Sequence, residues 1–222
     1  LCPNPAYLTG SVLNMVKVKI CGITNEEDAR LAIQCGADYV GFIFAPSKRS
    51  IIKETAMRIM QATDPFRSYV GVFLNGKKKE IEETCAYTGI SILQFHGEET
   101  PAFCNYFLNR GYQVIKVIRV SNGASLDAVR AYEKVQYFLL DTYTPAAYGG
   151  TGEPFDWSLL ARLEAFRDKY FFISGGLDDR NVATLFSVIK PYGVDASSKL
   201  EKEAGIKDPA RMKAFISAVR KG

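Results

Sequence analysis

Gln136-Tyr137-Phe138-Leu139-Leu140-Asp141 is an apolar run with no polar alternation, closed by an acid. A strand that faces water on one side alternates, whereas a strand buried on both faces does not, so this segment suits a parallel sheet. Similar runs recur on either side of it. The strand candidates are Val16–Ile20, Tyr39–Phe44, Tyr69–Leu74, Ser91–Phe95, Gln113–Arg119, Gln136–Asp141, Tyr170–Ser174 and Tyr192–Asp195. Helix-like runs follow them at Asn25–Cys35, Glu54–Ala62, Lys77–Thr88, Thr100–Arg110, Leu126–Glu133, Trp157–Lys169, Asp179–Ile189 and Pro209–Lys221. Thr100-Pro101 sets a capping side chain before a proline at the first helical position. The run Leu126–Glu133 is the weakest of the eight. Such alternation implies right-handed βαβ units, and eight of them favour a closed barrel over an open sheet. No G-x-G-x-x-G follows the first strand, which argues against a dinucleotide fold. The expectation is an α/β fold, a compact single-domain (β/α)8 TIM barrel over residues 15–222. Residues 1–14, ahead of Met15, are expected to be an upstream or added segment outside the fold.

The 222 residues are fewer than the roughly 250 typical of this barrel, which brief connections accommodate. Composition is ordinary for a globular protein, at 47% hydrophobic and 23% charged. Lys and Arg total 28 against 24 Asp and Glu, a net charge of +4 without a basic stripe, so no nucleic-acid partner is expected. Lys77-Lys78-Lys79, followed by Glu80, Glu82 and Glu83, reads as a solvated helix start. No apolar run reaches the ~18–20 residues of a membrane helix, so no membrane partner is expected either. The cysteines Cys2, Cys21, Cys35, Cys85 and Cys104 are odd in number and lack a C-x-x-C pair. This argues against disulfides and a zinc site and points to a reducing, cytoplasmic setting.

In a β/α barrel the chemistry lies at the C-terminal ends of the strands. Cys21, Gln94 and His96, Arg119, Asp141, Gly175-Gly176, and Asp195 with Ser197-Ser198 all fall there, and Arg49 lies in the second loop. Gly175-Gly176 allows a backbone to approach an anion closely, and loops after strands seven and eight form the common phosphate site of the fold. Gly149-Gly150-Thr151-Gly152 is a glycine-rich loop that either connects flexibly or passes near a ligand. Cys21 is either inert packing or an ionised thiol acting as a base. Asp141 is a cap, an arginine partner, or an acid donating a proton from an apolar setting. The only histidine, His96, is a structural hydrogen-bonder or a site residue; being alone, it argues against a His-based triad or a multi-His metal site. Arg49 is either solvated or a clamp for a carboxylate.

Taken together, Lys19-Ile20-Cys21-Gly22-Ile23-Thr24, Gly41-Phe42-Ile43-Phe44 with Ser47 and Arg49, Gln94-Phe95-His96-Gly97, Leu140-Asp141, Gly149-Gly150-Thr151-Gly152, Phe155-Asp156-Trp157, Gly175-Gly176-Leu177 and Asp195-Ala196-Ser197-Ser198 resemble the phosphoribosylanthranilate isomerases of tryptophan biosynthesis. The resemblance runs from about Val16 to the C-terminus. It implies an Amadori rearrangement of N-(5-phosphoribosyl)anthranilate to 1-(o-carboxyphenylamino)-1-deoxyribulose 5-phosphate. Neither a metal nor an organic cofactor is implied. By resemblance Asp141 is the general acid and Cys21 the general base, and Arg49 faces the anthranilate carboxylate. Gln94 and His96 are expected at the substrate, and Gly150, Gly175, Gly176, Ser197 and Ser198 at its phosphate. The partner is the small phosphosugar-anthranilate substrate, and the chain is expected to be a monomer or homodimer.

One departure is Lys199, where the family usually has glycine after the serine pair; its loss would remove easy access to positive φ beside the phosphate. Two alternatives follow. One is the related aminoaldose isomerase of histidine biosynthesis, disfavoured by Cys21 and by the lack of half-chain repetition. The other is a non-catalytic phosphosugar-binding barrel, motivated by Lys199.

Overall fold

Lys17-Val18-Lys19-Ile20-Cys21 forms the first strand, and its alternation sorts two layers rather than core from solvent. The computed structural model describes residues 15–63, 68–142 and 155–222. The parallel strands β1 (Lys17–Cys21), β2 (Tyr39–Ile43), β3 (Ser68–Phe73), β4 (Ile92–Phe95), β5 (Gln113–Val120), β6 (Tyr137–Thr142), β7 (Tyr170–Ile173) and β8 (Gly193–Ala196) pair in sequence order into a closed barrel. The β1–β8 pairing closes it and sets Lys19 beside Asp195. The eight expected strands and the TIM-barrel architecture are therefore present.

Val18 and Ile20 of β1 join the layer between barrel and helices, with Ala29 and Ala32 of α1 (Glu26–Gln34). The other phase points inward. A separate cluster of Val70, Ile92, Ile115, Val117, Leu139 and Phe172 fills the barrel, with Tyr39, Tyr137 and Tyr192 packed against it. Burying each such side chain contributes ~1.5–3 kcal/mol. Lys19, Gln94, Asp141 and Asp195 are also buried. They complete the same inward phase toward the C-terminal mouth, so the alternation that builds the plug also aims polar groups into one opening.

The outer helices are α2 (Lys53–Ala62), α3 (Lys78–Thr88), α4 (Pro101–Leu108), α5 (Val182–Val188) and α6 (Pro209–Lys221), besides α1. Their starts are written locally. Asn25 caps Asp28 N–H, Thr100 caps Phe103 N–H, and Asp208 accepts from Ala210 and Arg211. Three features differ from the sequence reading. The crossovers after β5 and before β7 are 3-10 helices, Gly123–Ala131 and Trp157–Phe166. Helix α5 starts later than expected, because the Asp178 carboxylate accepts the Arg180 and Asn181 N–H groups and ties residues 179–181 into a turn. A hairpin of β9 (Glu201–Glu203) and β10 (Ile206–Lys207) follows the 3-10 turn Ser198–Leu200; it is too short to show a period. Among the described residues no helix is long and apolar enough to cross a membrane.

Candidate active site

The expected site residues that are described gather at the C-terminal ends of the strands. Cys21 is the last residue of β1, Gln94 and His96 lie at the end of β4, and Asp141 lies near the end of β6. Gly175-Gly176 follows β7 and Ser197-Ser198 follows β8. Gly150 lies outside the described residues, as do Gly149, Thr151 and Gly152.

Strands β4 and β6 bring His96 to Asp141, with Nε2 3.3 Å from Oδ2. The ring nitrogen makes no aligned hydrogen bond across this contact. Gln94 Nε2 stands 3.4 Å from His96 Nδ1, and the Asp141 Oδ1 accepts the Thr142 N–H at 3.0 Å. Gln94 Oε1, His96 Nε2 and Ser197 Oγ are buried without a hydrogen-bond partner among the described residues. A buried polar atom left unpaired costs roughly 1–3 kcal/mol. Three of them around one mouth mark positions that a polar ligand can satisfy.

Cys21 is buried, and its carbonyl accepts a 2.7 Å hydrogen bond from Lys207 Nζ. Burial pushes its thiol up, while the neighbouring Lys19 ammonium pulls it down. Burial wins, so the thiol is the resting form, not the ionised form that the strand-end position suggested. Lys19 is fully buried and its Nζ lies 2.8 Å from Asp195 Oδ1. Burial is the largest influence and disfavours its charge, but Asp195 and Cys21 together outweigh that cost and favour the ammonium.

Arg49 is not a solvated loop residue. Its Nε donates to Glu201 Oε1 at 2.8 Å and its Nη2 to Oε2 at 2.8 Å, a bidentate pair. Nη1 takes no part in that pair, which leaves an edge for an incoming carboxylate. Glu201 also accepts from Lys207 Nζ at 2.8 Å. Burial opposes the Glu201 charge, but Arg49 and Lys207 together hold its carboxyl below the usual range.

On the opposite arc of the rim, Gly175 and Gly176 take φ of 90° and 67°. Besides that conformation, a Cβ on Gly175 would run into the Thr142 side chain. The Asn181 side-chain amide donates to the Gly176 carbonyl at 2.8 Å and fixes the turn. Lys199 does not need the left-handed region, since Asn75 is the only non-glycine residue with positive φ among those described. The missing glycine therefore brings no backbone strain. Lys199 lines a cavity of about 350 Å³ with Asp178, Asp179, Arg180, Ser198 and Arg211, on the Ser198 side of the rim.

Sequence reasoning passed over Lys19, Glu201 and Lys207, and gave Asp195 no role beyond its place on the rim. Only Lys19 carried a local signal. Its alternation in β1 resembles that of an exposed lysine, yet every strand of a β/α barrel is covered on both faces, so an inward lysine must find a buried partner.

The family model described as N-(5'phosphoribosyl)anthranilate (PRA) isomerase matches residues 18–218. An N-(5'-phosphoribosyl)anthranilate isomerase of Moorella thermoacetica is 43% identical over 207 residues, covering 93% of this chain and 91% of that protein. The enzyme of that name from Pseudomonas putida is 43% identical over 211 residues, covering 94% and 99%. The crystal structure of phosphoribosyl anthranilate isomerase from Thermotoga maritima superposes with a TM-score of 0.86 at 41% identity, covering 94% of this chain and all (100%) of that one. A phosphoribosyl anthranilate isomerase crystallised with reduced 1-(o-carboxyphenylamino)-1-deoxyribulose 5-phosphate gives a TM-score of 0.82 at 39% identity, with coverage of 94% and 100%. With its eight-stranded barrel and converging rim, this chain belongs to the N-(5'-phosphoribosyl)anthranilate isomerase family.

Proposed function

We propose that Asp141 and Cys21 carry out the two proton transfers by which this chain converts N-(5-phosphoribosyl)anthranilate into 1-(o-carboxyphenylamino)-1-deoxyribulose 5-phosphate. The reaction class, an aldose-to-ketose isomerisation, follows from family membership. The assignment of roles rests on one observation. Cys21 and Asp141 end inward-facing phases of β1 and β6, strands separated by β7 and β8 around the ring, so a substrate in the mouth lies between them.

The chemistry divides into steps that such groups can supply. Asp141 protonates the furanose ring oxygen as the C1–O bond breaks, and the anilino nitrogen lone pair forms a Schiff base. Cys21, in the fraction of molecules whose thiol proton has been lost to solvent, then removes the C2 proton as a thiolate, and the released electron pair moves to the iminium nitrogen. The resulting enaminol gains a proton at C1 and loses one from the C2 hydroxyl, which restores the acid and the base. Each positioned acid or base supplies roughly 10²–10⁴-fold. His96, 3.3 Å from the Asp141 carboxylate, is suited to stabilise the negative charge left after proton donation. Arg49, oriented by Glu201, meets the anthranilate carboxylate, and the Gly175-Gly176 turn with Ser197-Ser198 takes the phosphate.

The substrate is a small phosphosugar-anthranilate, and the reducing conditions that keep free cysteines such as Cys21, Cys85 and Cys104 as thiols suit a cytoplasmic enzyme. Loss of anthranilate fluorescence on mixing the purified protein with phosphoribosylanthranilate tests the reading. Absence of turnover where a relative such as the Thermotoga maritima enzyme works would overturn it. Turnover of the histidine-pathway aminoimidazole substrate in its place would favour the related isomerase.

A further inference from the structure

The barrel interior is filled by aliphatic and aromatic side chains, with Lys19 standing fully buried among them. A buried ion pair such as Lys19–Asp195 gives little stability over apolar residues of the same volume, since desolvation cancels most of the attraction. The pair therefore calls for a reason other than stability, and its position supplies one. Lys19 lies two residues below Cys21 on the same face of β1. The neighbouring position on β2, in register with Cys21, is Gly41. A Cβ there would lie 2.9 Å from Cys21 Sγ and 3.3 Å from Lys19 Cε. The sulfur and the lysine side chain thus converge on the same space above Gly41.

We propose that Lys19, kept in place by Asp195, is the positioning residue that stabilises the Cys21 thiolate. The inference rests on the reading of Cys21 as the base and extends it by naming what makes that base attainable in a buried site. The other charged groups facing Cys21 are Asp195 from β8, Lys207 from β10 and Arg49 from the loop after β2. Lys207 and Arg49 share the single negative charge of Glu201, and Lys207, directed at the Cys21 carbonyl rather than the sulfur, favours the thiolate less than Lys19 does. Asp195 opposes the thiolate, but the Lys19 charge outweighs it at the sulfur. Asp195 in turn interacts with Asp141 and His96, so the acid and base halves of the mouth share one electrostatic network.

The test is a pH titration of ultraviolet thiolate absorbance, read without substrate as the difference between each protein and its Cys21→Ser counterpart. Lys19→Met should raise the Cys21 midpoint by about one to two pH units. Lys19→Arg, which keeps the charge, should leave it near the wild-type value. The double variant Lys19→Met/Asp195→Asn removes the pair without stranding a buried carboxylate. It should raise the midpoint as well, and it replaces Lys19→Met should that variant not fold. With substrate, Lys19→Met should lower kcat at neutral pH by roughly 10–100-fold while KM stays within about twofold. An unchanged midpoint in folded Lys19→Met or in the double variant overturns the proposal. A raised midpoint with unchanged turnover upholds the coupling of Lys19 to Cys21 and instead overturns Cys21 as the base.

Discussion

The Lys207 ammonium donates a 2.7 Å hydrogen bond to the Cys21 carbonyl and lies 2.8 Å from Glu201, which also holds Arg49. One carboxylate thus ties the backbone of Cys21, the proposed base, to the side chain expected to meet the substrate carboxylate. The Glu201 side chain is 4% exposed and that of Lys207 is fully buried.

Glu201→Gln should therefore act at two levels. It leaves the Lys207 charge buried with only carbonyl partners, and breaking such a pair costs about 3–5 kcal/mol. Arg49 loses its bidentate orientation, so KM for phosphoribosylanthranilate should rise more than kcat falls. Denaturant unfolding and steady-state kinetics check the two effects separately. A stable variant with unchanged KM would show that Glu201 orients nothing.

Cys21→Ser and Asp141→Asn should each lower kcat by roughly 10²–10⁴-fold while circular dichroism stays native. The pH dependence has a defined sign. Burial raises the Cys21 thiol above its ordinary value, so the thiolate forms only as pH climbs through that raised value. Turnover should increase with pH, and its limb should lie alkaline of an ordinary thiol. A rate that is flat with pH, or wild-type turnover by either variant, contradicts the assigned roles.

Gly175→Ala places a methyl group at φ 90° and against the Thr142 side chain. The backbone strain alone is roughly 1–3 kcal/mol. Because Thr142 follows Asp141 directly, the displaced turn should weaken phosphate binding and disturb the proposed acid together. Inorganic phosphate inhibition measured beside kcat reads both, and Gly111→Ala, with φ 87° but open space around it, controls for strain alone.

Helix α6 is clasped to the base of the barrel. Arg220 donates to Val16 and Gly36 carbonyls at 2.7 and 2.6 Å and to Asp38 at 2.6 Å. Burial pushes the Asp38 carboxyl up, but Arg220, the Val18 N–H and Lys17 win and leave it below the usual range. A depressed carboxylate contributes stability that is present above its unfolded value and lost as pH falls through the folded one. Asp38→Asn should cost about 1.5–3 kcal/mol at neutral pH and flatten that part of the acid loss. Unfolding free energies across the acid range check both. An Asp38→Asn protein with the wild-type acid profile would remove Asp38 from the account.

The sequence by itself determined the eight strands and the rim positions of those expected residues that the structure describes. Buried parallel strands print continuous apolar runs such as Phe138-Leu139-Leu140, and a strand's last inward residue is fixed by its own parity. Caps at Asn25, Thr100 and Asp208 were equally local. Closure decided what parity could not. Lys19 meets Asp195 across 176 positions, and Lys207 meets the Cys21 carbonyl across 186. Those pairings depend on register carried around the ring, to which no local pattern responds. The same closure turned Lys19 from an apparently exposed lysine into a buried charge, and Arg49 from a loop cation into one arm of a clamp. In the crossovers after β5 and before β7 the buried residues, Leu126 and Val129, then Leu160, Leu163 and Phe166, recur every three positions as a 3-10 helix requires, a spacing that over so short a run also fits the i, i+3 contacts of an α-helix.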